Sequence, residues 1–419
     1  MIYKTIIISF SFVRGGAGVS AARFNDILSS NVQLDSVDLI HQDNAGMLQL
    51  FKRVISFILV KFQFDNNPIK HSLNLFSFKP VLKAFENSKD TLYHLHWINN
   101  DTLSIFDFGK IPSGSVITLH DEWLYCGAEH HYSYNDNSKD FIHGYSYLKK
   151  GVLGIHWNSL IWSIKYKKLF HRRDLIFTTP SRWMYNRAKS SLILKNCDVR
   201  LLPNPINTDI FKPYQKDDAK KYRRKLNIDD DCFVLVFAAS TKKHNKLKGI
   251  NLLYDALKLL QSKKLKIPIS KIILINFGGL KGDAKLYSYR NISIGHIDNE
   301  IDLAKIYSIA DCVVVPSMFE SFGQVSAEAI SCCSPVVCFD TSGLRDIIIN
   351  NYNGLIAKSF THTALCSEIA NIINLPKKIR LEMGNNGRKH VLEKFSYPII
   401  TKQYLNILKD ASELKKNIN

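Results

Sequence analysis

Two glutamates with a short, fixed spacing are the residues of this chain best suited to chemistry. Glu320 and Glu328 have seven residues between them, within a segment that reads DCVVVPSMFESFGQVSAEAISCCSPVVCFDTSG and spans residues 311–343. Ionised carboxylates accept hydrogen bonds from hydroxyl groups, whereas the start of a helix offers N–H groups to a phosphate. A pair of carboxylates beside a helix start therefore favours a ligand that carries both hydroxyls and phosphates, such as a nucleotide sugar.

The surrounding residues predict the elements that position these glutamates. Residues 312–315 are apolar and mostly β-branched, which predicts a buried strand, and residues 335–339 predict the next strand. A helix is expected between them, beginning near Ser321 or Gly323. Such a βαβ unit builds a parallel sheet, whose ligands lie beyond the carboxyl ends of the strands.

A simpler interpretation is that Glu320 is a solvated loop acid and that Glu328 faces water from the helix. Glu328 is, however, flanked by Ala327, Ala329 and Ile330, on a helix between two buried strands. A carboxylate without a partner is costly in such a place, which favours the functional interpretation.

A lysine-rich loop is a second candidate for phosphate chemistry. Residues 233–238 predict a strand and residues 250–260 a helix, and the loop between them contains Lys243 and Lys248 and ends at Gly249. Lysines in a loop between a strand and a helix can neutralise a diphosphate leaving group. The alternative is a solvated run of charge.

Glycines near the beginning of the chain predict a third place where the backbone can come close to a phosphate. Residues 3–10 predict a strand, Gly15 and Gly16 lie in the turn that follows, and residues 19–28 predict a helix. Residues 16–21 also match the GxGxxA pattern of dinucleotide-binding proteins. An NAD-dependent oxidoreductase is therefore an alternative function.

Histidines cluster after the predicted strands of the N-terminal half. His120 and Asp121 follow the strand at residues 116–119, and His94 and His96 lie in the segment LYHLHWIN. Aromatic rings can cover the faces of a sugar while imidazoles bond its hydroxyls. Taken singly, a histidine near a strand end is more often structural.

The length and composition predict two globular domains. The chain has 419 residues, of which 46% are hydrophobic and 22% charged. No apolar run approaches the roughly 20 residues that span a bilayer. The opening residues resemble a signal peptide, but Arg14-Gly15-Gly16 follows them in place of a cleavage site, so a core strand is expected. The eight cysteines lack a CxxC spacing, so we expect reduced thiols and no zinc site.

The formal net charge of +19 predicts an acidic partner. Two stretches, residues 51–64 and 164–173, mix lysine and arginine with aromatic residues, as in helices that lie at an anionic lipid surface. Ordinary helices with one core face and one basic face are the alternative. The sequence contains no RNA- or DNA-binding signature, so nucleic acid is not an expected partner.

The glutamate segment resembles a known family, the retaining, nucleotide-sugar-dependent glycosyltransferases of the GT-B fold with a Glu-x7-Glu signature. One departure is Cys333, where the family usually has glycine. The pairing of HLHWIN with TLHDEW further resembles the branch that assembles colanic acid and O-antigen. The positions that carry the first resemblance are Ala310-Asp311, Pro316-Ser317, Glu320-Ser321-Phe322-Gly323, Glu328-Ala329, Pro335-Val336-Val337 and Gly343.

The resemblance implies roles for the candidate residues. Glu320 would hold the hydroxyls of the sugar, Glu328 those of the ribose, and His120 would contact the sugar from the other domain. Lys248 would bind the donor phosphates. The other implied donor-binding residues are Gly15 and Gly16, the helix start at Ser321, Phe322 and Gly323, and Lys243 in place of an arginine of the family.

The resemblance also implies an α/β architecture of two Rossmann-like, doubly wound domains that face a cleft. We expect an acceptor-binding domain at residues 1–208, a nucleotide-sugar-binding domain at 209–395, and a final helix at 396–419 that returns to the first domain. The implied activity is transfer of a hexose-type sugar, with retention and without a metal or other cofactor, to a lipid-linked oligosaccharide at the inner face of a bacterial membrane. A non-catalytic membrane-associated protein with a degenerate transferase fold is the remaining alternative.

Overall fold

The computed structural model describes residues 4–30, 36–64, 69–86, 90–132, 139–147, 153–239, 246–279 and 282–416. The chain forms two compact units, one of Met1–Asn204 with Ile400–Asn419 and one of Pro205–Ile399. Lys243, a predicted donor-binding residue, lies outside the described residues.

The first unit is built on a six-stranded parallel sheet with strand order β2-β1-β4-β5-β7-β8, beside a two-stranded ribbon of β3 and β6. Helices cover the sheet, and every residue of its central strands β1, β4, β5 and β7 except Lys4 is buried. Its elements are β1 (Lys4–Ser9), α1 (Gly15–Ser29), β2 (Val37–Ile40), α2 (Met47–Val60), β3 (Gln63–Phe64), α3 (Lys79–Glu86), β4 (Thr91–His96), β5 (Val116–Thr118), α4 (Asp140–His143), β6 (Leu153–Gly154), α5 (Trp157–Leu169), β7 (Ile176–Thr179), α6 (Arg182–Ser190) and β8 (Asp198–Leu201).

The second unit is built on a seven-stranded sheet with strand order β11-β12-β10-β9-β13-β14-β15, in which only the β11–β12 pair is antiparallel. Its elements are α7 (Lys216–Lys225), β9 (Phe233–Ala238), α8 (Ile250–Leu260), β10 (Ile272–Phe277), β11 (Gly282–Leu286), β12 (Tyr289–Gly295), α9 (Glu300–Ser308), β13 (Cys312–Val315), α10 (Gln324–Ser331), β14 (Val336–Phe339), α11 (Leu344–Ile347), β15 (Gly354–Ala357), α12 (His362–Asn374) and α13 (Lys377–Lys394). The last helix of the described residues is α14 (Tyr397–Lys416).

Strand β9 shows how the second sheet is buried on both faces. Val234 and Val236 belong to one apolar cluster, whereas Phe233, Leu235 and Phe237 belong to another. Successive side chains of a strand point to opposite faces, so each face has its own core. This double burial explains why the strand contains no polar residue.

Most of the predicted elements around the candidate site are confirmed. The strands at 233–238 and 312–315 and the helix at 250–260 have the predicted bounds. The first helix differs from the prediction, because it begins at Gly15 and not near Val19. The glycines therefore form the first turn of the helix and are not a separate loop.

The prediction of a basic lipid-facing helix at residues 164–173 is wrong. Helix α5 covers most of this stretch, and it buries Trp162, Lys165 and Leu169 in the first unit. The ammonium group of Lys165 donates hydrogen bonds to the main-chain oxygens of Trp123 and Gly127. These two acceptors make burial of the cation tolerable, so α5 is a core helix.

Helix α2 has the opposite arrangement, with its apolar side chains exposed. Phe51 and Phe57 are 62% and 65% exposed, whereas the buried residues of the helix are Gln49 and Ser56. Both buried side chains bond Asp101, one through its main-chain oxygen and one through its carboxylate. The polar contacts thus fix the helix with its apolar face outward.

Candidate functional site

A lysine and a glutamate from two neighbouring loops form an ion pair in the second unit. Lys248 Nζ lies 2.6 Å from Glu320 Oε1. Lys248 follows β9 and Glu320 follows β13, two adjacent parallel strands whose carboxyl ends meet at one edge of the sheet. The side chains are 46% and 19% exposed, so a ligand can reach the pair from solvent. This edge is where parallel sheets bind ligands.

The two loops meet because Gly249 has no side chain. Its backbone has φ +62°, and a Cβ atom there would lie 1.9 Å from the main-chain oxygen of Pro316. The N–H group of Met318 also donates to the oxygen of Leu247 at 2.8 Å. Direct backbone contact therefore holds Lys248 beside the loop that carries Glu320.

A third loop fixes the backbone of Glu320 from the other side. The N–H group of Glu320 donates to Ser342 Oγ at 2.9 Å, and the N–H group of Gly343 donates to the oxygen of Glu320 at 2.9 Å. A Cβ atom on Gly343 would lie 2.5 Å from the oxygen of Ser321. The glutamate is thus held in a pre-arranged loop, as a ligand-binding residue requires.

The predicted anion-binding helix start lies directly after this loop. Helix α10 begins at Gln324, and Gly323, with φ +110°, precedes it without any capping side chain. Phe322 is buried and packs edge-on against Phe395 with ring centroids 5.4 Å apart, while Ser321 is half-buried. The first-turn N–H groups and the helix dipole favour a negative charge at this position.

Glu328 lies in the middle of α10 and is buried, with 5% exposure. Tyr307, on α9, donates a hydrogen bond to Glu328 Oε2 at 3.4 Å. Four residues of helix separate Glu328 from the start of α10, a rise of about 6 Å. Its carboxylate is therefore one turn of helix away from the proposed phosphate position. The contact with Tyr307 had no signal in the sequence.

The helix ends in a turn that explains the position of Cys333. The N–H group of Ser334 donates to the oxygen of Ala329, and that of Cys333 donates to the oxygen of Ile330. This is the Schellman pattern, which requires a left-handed residue and usually takes glycine. Cys333 occupies that position with φ +61°. The turn therefore keeps its usual form in spite of the cysteine.

The first unit brings His120 into a cluster of imidazoles. His120 follows β5, and its Nε2 lies 2.8 Å from Nδ1 of His96, the last residue of β4. His94 lies two residues earlier on the same strand, and both histidines of β4 are fully buried. Burial lowers the pKa of His120 to about 4 and holds the pKa values of His94 and His96 well below their usual range. The three rings are therefore neutral at pH 7.

The residue after His120 belongs to a separate polar network. The carboxylate of Asp121 accepts hydrogen bonds from the indole N–H of Trp97 at 2.7 Å and from His130 Nδ1 at 2.6 Å. His130 in turn contacts Ser72 Oγ through its other nitrogen at 2.8 Å. Asp121 therefore anchors the loop after β5, which steadies the position of His120.

Gly15 and Gly16 open α1 at the same edge of the first sheet. β1 pairs in parallel with β4 so that Ser9 lies opposite His96, and α1 begins six residues after Ser9. A Cβ atom on Gly15 would meet nothing within 4 Å, whereas one on Gly18 would lie 2.8 Å from the oxygen of Ser11. The space beside Gly15 leaves the start of α1 accessible to a ligand.

Comparisons with known proteins find a match to one family model within the second unit. Residues 218–390 match the family model described as "Glycosyl transferases group 1". The capsular polysaccharide biosynthesis glycosyltransferase CapM of Staphylococcus aureus is 29% identical over 209 residues, which are 48% of this chain and 53% of CapM. The chain spans about half the length of the curated relatives it matches.

Solved structures are similar over nearly the whole chain. Sucrose-phosphate synthase from Thermosynechococcus elongatus has a TM-score of 0.66 at 18% identity, covering 97% of this chain and 98% of that one. HepE of Anabaena, solved in complex with UDP, has a TM-score of 0.59 at 16% identity, covering 97% and 100%. The chain therefore has the two-domain α/β GT-B fold, with parallel sheets, as predicted.

Proposed function

We propose that this chain is a glycosyltransferase that moves a hexose-type sugar from a nucleoside diphosphate to an acceptor hydroxyl, with retention of configuration. The observation that carries the proposal is the Lys248–Glu320 pair, 2.6 Å apart beside the start of α10. It combines a cation, a hydroxyl-binding carboxylate and an anion-binding helix start. A sugar diphosphate presents groups that complement all three: phosphates for the cation and the helix start, and sugar hydroxyls for the carboxylate.

In the proposed reaction, the bond between the anomeric carbon and the diphosphate oxygen breaks, and its electron pair stays on the diphosphate. Lys248 and the N–H groups at the start of α10 stabilise that charge. The acceptor oxygen forms the new bond to the anomeric carbon and gives its proton to the departing diphosphate oxygen. An ammonium group has three N–H donors, so Lys248 can bond the diphosphate while it keeps its contact with Glu320.

The remaining candidate residues would position the donor. Glu320 would accept hydrogen bonds from the sugar hydroxyls, and Glu328 from the ribose hydroxyls one helical turn away. His120 would contact the sugar, and Gly15 and Gly16 would allow the diphosphate to approach the start of α1. These assignments rest on the resemblance of the sequence and on the local geometry within each unit.

Binding and transfer assays on matched variants test the site. Thermal-shift screening against UDP, GDP, their sugars and NADH identifies the ligand, because a ligand that binds only the folded state raises the unfolding temperature. Glu328→Gln should then weaken nucleotide binding, whereas Lys248→Ala should mainly slow transfer. Lys305→Ala is the control for the latter, because Lys305 is also paired with an acid, at 2.7 Å. Stabilisation by NADH instead of nucleotide sugars would indicate an oxidoreductase.

We propose that catalysis needs no metal, because a lysine and a helix dipole can take the place of a cation beside the leaving diphosphate. Transfer should continue after the protein has been incubated with EDTA and passed into metal-free buffer. Complete loss of transfer that only a divalent ion restores would refute this part of the proposal.

We propose that the acceptor is a lipid-linked oligosaccharide of bacterial surface polysaccharide or O-antigen synthesis, reached from the inner face of the membrane. The support is helix α2, with its outward apolar face and with Lys52, Arg53 and Lys61 beside it. Helix α2 and residues 69–74, among them Lys70, line a cavity of about 700 Å³. Apolar side chains interleaved with cations suit an anionic lipid surface. Among the described residues, no helix has the length and apolar character that crossing a bilayer requires.

Flotation with lipid vesicles tests this attachment. The protein should float with vesicles that contain anionic phosphatidylglycerol and not with pure phosphatidylcholine, and Phe51→Glu with Phe57→Glu should abolish flotation. Phe106→Glu is the control, because Phe106 is similarly exposed, at 53%, but lies outside α2. Equal loss of flotation in the control would contradict the role of α2.

A further inference from the structure

The cavity between α2 and residues 69–74, here called the α2 cavity, has an apolar wall that is open to solvent. Its volume of about 700 Å³ lies within the roughly 300–1,000 Å³ that is usual for sites of small molecules. The exposed fractions of its large apolar side chains are 53% for Leu50, 44% for Val54, 65% for Phe57 and 58% for Phe64. Apolar surface that stays uncovered in a concave place favours an apolar ligand.

The apolar residues of α2 form two stripes. Leu50, Val54 and Phe57 recur at spacings of four and three residues, so they lie on one face of the helix, and all three line the α2 cavity. Phe51 and Ile58, which are 62% and 52% exposed, form the neighbouring stripe and do not line the cavity. The helix therefore has one apolar surface inside the cavity and another outside it.

The α2 cavity also carries positive charge. Arg53, Lys61 and Lys70 line it. Among the described residues that line it, Asp101 is the single carboxylate. Each of the three cations lies against an aromatic ring, at 4.3 to 5.0 Å from the ring centroid. Positive charge between apolar walls favours a ligand that is both apolar and anionic.

Arg53 is half-buried in this cavity, and the protein compensates its charge incompletely. Its guanidinium lies over the ring of Phe10 at 4.9 Å and donates no hydrogen bond to any residue that the structure describes. Burial lowers the pKa of Arg53, and the carboxylate of Asp101 offsets this only in part. That carboxylate already accepts hydrogen bonds from Ser56 Oγ and from the N–H group of Phe76, both at 3.0 Å. Because a guanidinium has five N–H donors in a planar fork, Arg53 is suited to bind a phosphate.

The α2 cavity lies beside the carboxyl edge of the first sheet. Phe10, over which Arg53 lies, directly follows β1, and Asn100 and Asp101 line the cavity from the loop after β4. His120 follows β5, which pairs in parallel with β4. A phosphate bound to Arg53 therefore leaves the sugar attached to it close to the edge that carries His120.

We propose that the α2 cavity binds the lipid part of the acceptor, a hydrocarbon chain that ends in a phosphate. The chain lies along Leu50, Val54 and Phe57, and the phosphate oxygens accept hydrogen bonds from Arg53. This inference rests on the proposed function and deepens it, because it assigns the chain and the phosphate of one acceptor molecule to named residues.

Isothermal titration calorimetry with farnesyl phosphate, used as a monomer below its micelle concentration, tests the site. Farnesol and inorganic phosphate carry one half of the probe each, and both should bind much more weakly than farnesyl phosphate. Arg53→Gln should weaken the binding of farnesyl phosphate by about tenfold or more, as expected for lost hydrogen bonds to a charged group. Equal affinity for inorganic phosphate and farnesyl phosphate, or full affinity in Arg53→Gln, would overturn the proposal.

Two further variants separate the contact with the chain from a general attraction between charges. Val54→Asn should weaken the binding of farnesyl phosphate about fivefold, the effect of roughly one buried methylene group. Arg182→Gln is the control for Arg53→Gln, because Arg182 is exposed on α6 and does not line the cavity. Equal weakening in Arg53→Gln and Arg182→Gln would show that only the net charge matters, and would contradict the proposed site.

Transfer kinetics distinguish failure of this inference from failure of the proposed function. Arg53→Gln should raise the KM for an acceptor that carries the lipid phosphate and leave the KM for the sugar donor unchanged. Loss of farnesyl phosphate binding in Arg53→Gln, in a protein that transfers no sugar, would support the cavity and refute the transferase. Sugar transfer with an unchanged acceptor KM in Arg53→Gln would support the transferase and refute the cavity. Flotation with anionic vesicles without any binding of farnesyl phosphate would also refute it, since α2 would then contact only the membrane surface.

Discussion

Replacement of Gly249 by alanine should disrupt the candidate site without altering any residue that contacts the ligand. Gly249 has φ +62°, and an added Cβ atom would lie 1.9 Å from the oxygen of Pro316. Real Cβ atoms keep a distance of 3.0 Å or more from such an oxygen. The loop that carries Lys248 must therefore move away from the loop of Glu320 by about 1 Å.

The magnitude of the effect has two parts. An alanine in the left-handed region costs roughly 1–2 kcal/mol of folding free energy. A displacement of about 1 Å at a catalytic group lowers kcat/KM by about 100-fold, which corresponds to about 2.7 kcal/mol. The contact between Lys248 and Glu320, now 2.6 Å, would exceed hydrogen-bonding distance.

Three measurements check these expectations. Urea unfolding gives the loss of folding free energy, and transfer kinetics give the loss of kcat/KM. Amide hydrogen exchange at Met318 reports whether its 2.8 Å bond to the oxygen of Leu247 has been lost. Gly279→Ala is the control, because its Cβ atom would make an ordinary contact of 3.6 Å with Ala239. Unchanged exchange at Met318 together with normal transfer in Gly249→Ala would refute this account of the site.

Three further predictions concern stability. Cys333→Gly should raise the free energy of unfolding in urea by about 1 kcal/mol, because glycine adopts the left-handed turn without strain, whereas Cys333→Ala should not. The free energy of unfolding should fall as the pH drops below 6.5, by up to about 1.4 kcal/mol per pH unit for each of His94 and His96, because their depressed pKa values let the unfolded chain bind protons first. Thermal melts of His94→Gln should show a shallower dependence. Lys165→Met should lower the unfolding temperature, since it leaves two buried carbonyl oxygens without their donor; an unchanged melt would contradict this.

The parts of the structure that the sequence predicts are those set by local pattern. The strands at 233–238 and 312–315 are apolar because both faces of the sheet are buried. The first and last residues of each apolar run therefore mark the bounds of the strand. Once β9 and β13 are neighbours in a parallel sheet, Lys248 and Glu320 must come close to each other, because the loops after adjacent parallel strands lie at the same edge of the sheet. The resemblance to a known signature supplied the pairing of these two loops.

Contacts between distant parts of the chain could not be predicted in this way. Tyr404 lies 310 residues after His94, and no local pattern links them. The two aromatic and basic stretches look alike in sequence, yet one forms the buried α5 and the other the exposed α2. Asp101 and the carbonyl groups of Trp123 and Gly127 decide which way each helix faces, and these partners lie far away in the sequence.

The first unit takes part of its core from the end of the chain. Tyr404 is fully buried in the first unit, but it is made only after the whole of residues 205–399 has been synthesised. At about 5–20 residues per second, a ribosome needs roughly 10–40 s for that stretch. During this time the nascent first unit has a gap where α14 belongs and exposes the apolar surface around Phe24. The second unit is contiguous, so it can complete its fold first, and the N-terminal half is the part whose apolar surface stays uncovered for longer during translation.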